Sequence, residues 1–499
     1  MKKRVVSMIL GCMAAVALFT SAVSAEEAKD TITAAYTYKA PLDPFDYPTD
    51  ITKTIFESLI RYDGLKEEDK RIQPMLAETY ELSPDGLTWK FTLRDAKFSD
   101  GKQVTADDVV GSLEYALSTV LGASNYMGYS AVAVDEKTVE ITVPVAADYI
   151  KYYLGTLPII NAEKLAADGA EAYFENPIGT GPFALASYDE ATGLAELTAN
   201  TEYWGGAPAV SGINFRYIPD ANTALIALQK GEIDFAPITS ATYNQANKAS
   251  DLKTQFSAPI LGNYIVFNTQ SEIVADQALR QAVLYAIDTD GVAMMSEVPG
   301  NYTVTHGFFQ PEWGMDKPEG FTEYTYDPEK AKAILAEAGY ETPVDLGEIG
   351  ITADQKPMWE AIQQNLADVG ISIKVSSLEN TIWLDNLWKG NFAVAALTGT
   401  DMVSLGYANV CDLFHSSGIE YGYNYSRYSD AELDGYLDAA TYTLDYDVAN
   451  ENFGKALNII NDQALWGTIY TYGKVYAMDK NLIVDTDNEV YLGDAYWSE

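Results

Sequence analysis

Ile213-Asn214-Phe215-Arg216-Tyr217-Ile218-Pro219-Asp220-Ala221-Asn222-Thr223-Ala224-Leu225-Ile226-Ala227-Leu228-Gln229-Lys230-Gly231-Glu232-Ile233-Asp234-Phe235 decides the fold class of this chain. Ile213, Phe215 and Tyr217 alternate with polar neighbours, the period of a strand. Asp220 stands as a helix cap, and Ala224, Ala227 and Leu228 follow on one face. Gly231 stops the helix and Ile233-Asp234-Phe235 resumes extended chain. A crossover this short implies parallel pairing within an α/β lobe. The same order recurs downstream. Ile349–Thr352 reads as a strand, Pro357 sits near a helix start, Met358, Ile362 and Leu366 share a face, Gly370 stops the helix, and Ile371, Ile373 and Val375 form the next strand. Between the two units, Asp327 caps a helix that starts with Pro328, carries Ile334 and Leu335, and ends at Gly339.

Upstream the pattern changes to hairpins. Tyr80 and Leu82 lead into the turn Ser83-Pro84-Asp85-Gly86, after which Leu87, Trp89, Phe91 and Leu93 alternate. A second hairpin runs over Ala131–Val143 around Asp135-Glu136-Lys137. Between them Thr105-Ala106-Asp107-Asp108 is a capping-box pattern, with Val109, Leu113 and Leu117 at helical spacing behind it. No internal repeat or low-complexity linker interrupts the chain.

The 499 residues are enough for two to four domains. Hydrophobic residues make up 47% and charged residues 21%, which excludes wholesale disorder. Asp and Glu number 72 against 32 Lys and Arg, a net charge of −40. Such a chain is repelled by nucleic acid and by anionic membranes, and its acidity reads first as solubility.

Lys2-Lys3-Arg4, the apolar run Val5 to Phe19 and the small residues Val23-Ser24-Ala25 have the form of a secretory signal peptide, with cleavage expected after Ala25. The run is short for a membrane span. Ile9-Leu10-Gly11-Cys12 offers a second outcome, a lipidated Cys12, although apolar residues continue after it where a polar tether belongs. With the leader removed, Cys411 has no intrachain partner for a disulfide. The two histidines, His306 and His415, are far apart in sequence, which argues against the usual zinc site.

Catalytic signatures are missing. There is no P-loop, no H-E-x-x-H and no G-x-S-x-G. Gly179-Thr180-Gly181 is too short for a dinucleotide fingerprint. Asp288-Thr289-Asp290-Gly291 and Asp485-Thr486-Asp487 lack the full ligand set of a calcium loop and read as solvated turns. The expectation is a chain with no cofactor that is not an enzyme.

Several stretches in order resemble the bacterial extracellular solute-binding proteins of family 5, the oligopeptide, dipeptide and nickel binders of ABC importers. They begin with Pro74-Met75-Leu76-Ala77-Glu78, Trp89-Lys90-Phe91-Thr92-Leu93-Arg94-Asp95 and Lys97-Phe98-Ser99-Asp100-Gly101-Lys102. Asn176-Pro177-Ile178-Gly179-Thr180-Gly181-Pro182-Phe183, Asn200-Thr201-Glu202-Tyr203-Trp204 and Ile218-Pro219-Asp220-Ala221-Asn222 follow. Phe267-Asn268-Thr269, Leu279-Arg280-Gln281-Ala282 and Tyr285-Ala286-Ile287-Asp288 complete the series, which spans residues 40 to 440.

The resemblance implies an α/β fold of two lobes, the periplasmic-binding-protein type II arrangement of cluster C, with an extra domain inserted in lobe one. The expected division is a signal peptide over 1–25, a lobe-one base over 31–55, 177–258 and 480–499, the extra domain over 56–176, and lobe two over 259–479. Most motif residues are expected to be structural. The glycines of Asn176–Pro182 serve unusual backbone angles at a domain crossing, and Arg94 is an ion-pair residue of the extra domain.

In peptide-binding relatives an aspartate after a Phe-x-Val strand of lobe two pairs with the ligand's α-ammonium. Here Asn391-Phe392-Ala393-Val394-Ala395-Ala396-Leu397 takes the place of that strand, and Asp401 takes the aspartate's position. A loop aspartate capping its own turn is the other reading of Asp401. Lys356 comes nearest to the arginine with which dipeptide binders begin the lobe-two helix. Phe45, Tyr47, Tyr264, Trp383 and Trp388 lie at or near segments that line the cleft in relatives, and at least one of the two tryptophans is expected to be core. The tryptophan that longer-peptide binders tend to have near Thr398 is absent, as is their Asp/Asn-x-x-Pro, replaced by Met402-Val403-Ser404-Leu405.

The function so implied is an exported, monomeric substrate-binding subunit that captures peptides by lobe closure and delivers them to ABC permease and ATPase subunits, in the periplasm or at the outer face of the envelope. An oligosaccharide or nickel-chelate binder of the same fold is the alternative within the class. A secreted hydrolase and a chaperone-like or adhesive surface protein are the alternatives outside it.

Overall fold

The computed structural model describes residues 29–39, 41–66, 70–486 and 490–498. The leader, with Cys12, Ala25 and the expected cleavage site, lies outside them.

The stretch quoted first forms strand Gly212–Tyr217, helix Ala221–Gln229 and strand Phe235–Ile238. The Asp220 carboxylate accepts the Thr223 N–H at 2.8 Å, and Gly231 closes the helix at φ 68°. The two strands are not neighbours. Strand Thr31–Tyr36, from nearly 200 residues upstream, lies between them and pairs parallel with both. The full sheet runs Leu252–Phe256, Val475–Asp479, Phe235–Ile238, Thr31–Tyr36, Gly212–Tyr217, Leu194–Ala199, Phe183–Asp189. This is the base of lobe one.

Lobe two is built on a second sheet in the order Tyr302–Thr303, Trp466–Tyr472, Leu261–Phe267, Val394–Asp401. The second β-α-β unit stands beside it, strands Val344–Ile351 and Ile371–Ser377 pairing parallel across helix Lys356–Asp368. Trp359, Ile362 and Leu366 on that helix are fully buried against Leu346, Ile349 and Ile371.

The extra domain carries the two hairpins in one sheet, Ala77–Leu82, Thr88–Leu93, Thr138–Thr142, Ser130–Ala133. Helix Ala106–Ala116 packs on it, its capping box formed by Asp108 accepting the Thr105 N–H at 3.0 Å. Trp89, Phe91, Val109, Leu113, Val139 and Ile141 fill the space between, and this core is continuous with that of the lobe-one base.

Three expectations change. The return to lobe one, placed at 479/480 by resemblance, comes at Gly473-Lys474, because Val475–Asp479 pairs with Phe235–Ile238 and Leu252–Phe256 inside the lobe-one sheet. Gly179 and Gly181 have no positive φ; they are glycine because a Cβ would stand 1.9 Å from the Ile55 carbonyl oxygen and 2.4 Å from that of Thr54. Arg94 makes no ion pair among the described residues. Its guanidinium lies 3.6 Å from the centre of the Trp204 ring and donates to the Ala77 carbonyl at 3.2 Å, joining the extra domain to the base.

Candidate ligand site between the lobes

Two chain crossings join the lobes, and they are bonded to each other. Ser257 N–H donates to the Lys474 carbonyl at 3.0 Å, and Lys474 N–H returns to Ser257 Oγ at 2.9 Å. Asn301 Nδ2 donates to the Gly473 carbonyl at 2.9 Å. A Cβ at Gly473 would lie 2.1 Å from the Ser257 carbonyl oxygen, so only glycine fits there.

Asp401 stands next to these crossings. It ends strand Val394–Asp401 and pairs with Leu261, the first residue after the crossing. Its carboxylate is half-buried and engaged locally: Oδ1 accepts Val403 N–H at 2.7 Å and Ser404 N–H at 3.0 Å, and Oδ2 accepts the Ser404 hydroxyl. The carboxylate therefore caps its own turn. Its two N–H donors fill Oδ1, but Oδ2 keeps a lone pair for a cation, and no lysine or arginine is paired with the carboxylate among the described residues.

Tyr264 sits behind this corner. Its hydroxyl receives a hydrogen bond from Gln310 Nε2, and burial pushes its titration up. The Gln310 bond opposes that shift, while the charges of Asp401 and Glu312 add to it, so both carboxylates act on the same phenol. Glu312 lies in the short helix Pro311–Trp313, whose Trp313 indole N–H donates to the Met402 carbonyl at 2.8 Å and so fixes this turn to the one after Asp401. Burial raises the Glu312 carboxyl, and its Oε2 is buried with no hydrogen-bond partner. Thr398 donates to Asn263 Oδ1 at 2.6 Å at the back of the corner.

The lobes also touch at the far rim. Leu65 of the extra domain packs on the core of lobe two, and the Arg71 guanidinium lies 5.7 Å from the centre of the Tyr446 ring. The Gly86 turn is so near Leu444 that a Cβ there would come within 2.8 Å of its Cδ1. The two lobes therefore meet at a second place besides the crossings.

The other expected site residues are dispersed. Tyr264 is 0% exposed and packs against Phe308 and Trp466, so it is a core ring and not a cleft surface. Phe45 is likewise core, edge-on to Tyr115 in lobe one. Trp383 is buried, its indole N–H donating to the Ala396 carbonyl at 3.1 Å, and it borders a pocket by Val394 and Ala395, at the opposite end of the strand from Asp401. These aromatics are buried because each flat ring fills the gap between a sheet and its covering helices. Tyr47 and Trp388 are exposed on different lobes. Lys356 opens its helix as expected, but its ammonium lies 3.8 Å from Glu360 on the next turn. Gln310 and Glu312 were not anticipated. A single carboxylate amid Phe308, Phe309 and Trp313 was the available signal.

Among the described residues no group of three His, Cys, Asp or Glu could hold a metal ion, and no helix is long and apolar enough to cross a membrane.

Comparison with known proteins agrees with this architecture. The family described as bacterial extracellular solute-binding proteins, family 5 Middle, matches residues 71–421. The oligopeptide-binding protein AppA of Bacillus subtilis is 26% identical over 473 residues, covering 87% of this chain and 85% of its own. The glutathione-binding protein GsiB of Shigella flexneri is 28% identical and covers 91% of each chain. The crystal structure of CtaP, an ABC transporter substrate-binding protein from Listeria monocytogenes, superposes with a TM-score of 0.82 at 23% identity, over 94% of this chain and all of that one.

Proposed function

The chain belongs to the bacterial extracellular solute-binding proteins of family 5, and from that membership we propose that it captures small peptides for an ABC importer by closing its two lobes around them. The observation that carries the peptide assignment is the half-buried carboxylate of Asp401 beside the inter-lobe crossing, with no lysine or arginine paired to it among the described residues. A peptide's α-ammonium loses water on entering a closed cleft and requires such a partner. The relatives AppA and GsiB, named for oligopeptide and glutathione binding, support a ligand with peptide bonds.

The mechanism is a population shift. Contacts from both lobes exist only when the lobes are closed, so ligand favours the closed state. The mature protein acts as a monomer outside the cytoplasmic membrane after cleavage behind Ala25, hands its ligand to permease and ATPase subunits, and catalyses no reaction. Asp401 is the ligand-contacting residue of this proposal. Lys356, Tyr47 and Trp388 are exposed candidates for contacts to the remainder of the peptide.

Calorimetry with a tripeptide set, combined with X-ray scattering, tests the proposal. A hundredfold excess of peptide over Kd adds about 2.7 kcal/mol to stability, and the radius of gyration falls on saturation; an unchanged radius would count against lobe closure. Binding of an oligosaccharide and of no peptide would overturn the peptide assignment.

A further inference from the structure

The corner at Asp401 holds more negative charge than one α-ammonium needs. Glu312 is the second carboxylate of the corner. It acts on the same Tyr264 hydroxyl as Asp401, and the Trp313–Met402 bond ties its turn to the Asp401 loop. Its Oε2 is shielded from solvent, unbonded, and in no ion pair among the described residues. The Arg71 guanidinium, whose Nη2 would stand 4.0 Å from a Cβ at Gly314, donates from Nε to the Lys66 carbonyl at 3.0 Å and lies over Tyr446, and it makes no ion pair with Glu312 among the described residues.

Gln310 supplies an independent sign. It is 1% exposed, its amide nitrogen donates to the Tyr264 hydroxyl, and its Oε1 has no hydrogen-bond partner among the described residues. A buried acceptor left open costs about 1–3 kcal/mol. Gln310 Oε1 and Glu312 Oε2, two residues apart in the chain, are both open acceptors, and no lysine or arginine is paired with Glu312 or Asp401 among the described residues. Groups that supply both donors and positive charge are ammonium and guanidinium.

We infer that Glu312 and Asp401 together form a dianionic subsite for the doubly positive end of a peptide that begins with lysine or arginine. Asp401 takes the α-ammonium, and Glu312, with Gln310 Oε1, takes the side-chain cation. This rests on the peptide reading of Asp401 and makes Glu312 the residue that selects the first side chain.

Two tripeptides test it, Lys-Ala-Ala and norleucine-Ala-Ala, which match in chain length and differ in the terminal charge. Calorimetry on the wild-type protein is expected to give Lys-Ala-Ala at least tenfold tighter binding. In both Glu312→Gln and Glu312→Ala the preference falls to twofold or less, while the Kd for norleucine-Ala-Ala moves less than threefold. Equal affinity of the two peptides for the wild type overturns the inference and leaves the peptide reading standing. A preference that survives in both variants also overturns it. If neither peptide binds the wild type, the peptide reading falls and the dianionic subsite falls with it.

Discussion

Glu57 in lobe one and Glu312 in lobe two are both carboxylates drawn out of water, and they have opposite surroundings. Glu57 is 5% exposed and both its oxygens are served: the Tyr203 hydroxyl donates to Oε1 at 2.6 Å and the Trp204 indole N–H to Oε2 at 2.9 Å. Trp204 in turn carries Arg94 of the extra domain on its face. Glu57 thus pins the extra domain to the base. Glu312 has a buried oxygen with no hydrogen-bond partner among the described residues. Burial raises both carboxyls, so a raised value alone does not separate a structural acid from a binding one. Whether the donors are already present in the fold does separate them.

The sharpest break of this comparison is Glu57→Leu. It strands the Tyr203 hydroxyl and the Trp204 N–H in the interior, and each unmet donor costs about 1–3 kcal/mol. Urea denaturation is expected to show a loss of about 4 kcal/mol, with peptide affinity of the folded protein unchanged. A loss under about 1 kcal/mol would mean that the junction does not depend on this acid.

Acidity gives the next largest effect. Burial pushes the Glu57 carboxyl up to about 7 from 4.5, against the pull of its two donors. A folded-state value above the unfolded one favours the fold while the acid is protonated. That contribution is complete below pH 4.5 and is lost as pH rises through about 7. It amounts to about 3 kcal/mol. Comparing wild type with Glu57→Gln at pH 4.5 and pH 8, the stability difference should move toward the variant by about that amount. A difference that stays constant between the two pH values would show that Glu57 remains ionised in the fold.

The binding side of the comparison is tested by Asp401→Asn. Free peptides should lose about 2 kcal/mol of binding, and N-acetylated peptides little, because acetylation has already removed the ammonium. Calorimetry on both proteins with both peptide forms completes a double-mutant cycle. A coupling near zero with folding intact would return Asp401 to the turn-capping role that its bonds to Val403 and Ser404 already describe.

What the sequence made legible follows the range of the interaction. The β-α-β units, the hairpins and the caps at Asp220, Thr105 and Asp327 are local patterns, and each appears where its residues put it. Strand Thr31–Tyr36 between the two strands of the first unit was not legible, because its partners are remote in the chain and alternation carries no address. The crossing at Gly473 was hidden for the same reason. At the site, resemblance singled out Asp401 as the partner of a peptide's α-ammonium, but periodicity could not tell the core rings of Tyr264, Phe45 and Trp383 from cleft rings. Glu312 carries the only charge between His306 and Asp316, and its meaning emerges only when the fold sets it beside the Asp401 loop.

The smallest expected effect has the opposite sign to the first. Glu312→Gln keeps the size of the side chain and removes a charge that no described residue balances. A residue kept for binding is held at some cost to the empty protein, so replacing it should stabilise. The group is only partly buried, and water screens part of its charge, so the gain is modest: about 0.5–1 kcal/mol at pH 8. The Gln310 acceptor stays unmet in the variant, which prevents a larger gain. Urea midpoints of the ligand-free proteins measure this directly, and the same pair of proteins saturated with Lys-Ala-Ala should reverse the order, because only the wild type then gains an ion pair. Should Glu312→Gln instead destabilise the empty protein by more than about 1 kcal/mol, Glu312 would be a structural acid of the same kind as Glu57. The distinction between a carboxylate the fold has satisfied and one it has left open would then fail at this site.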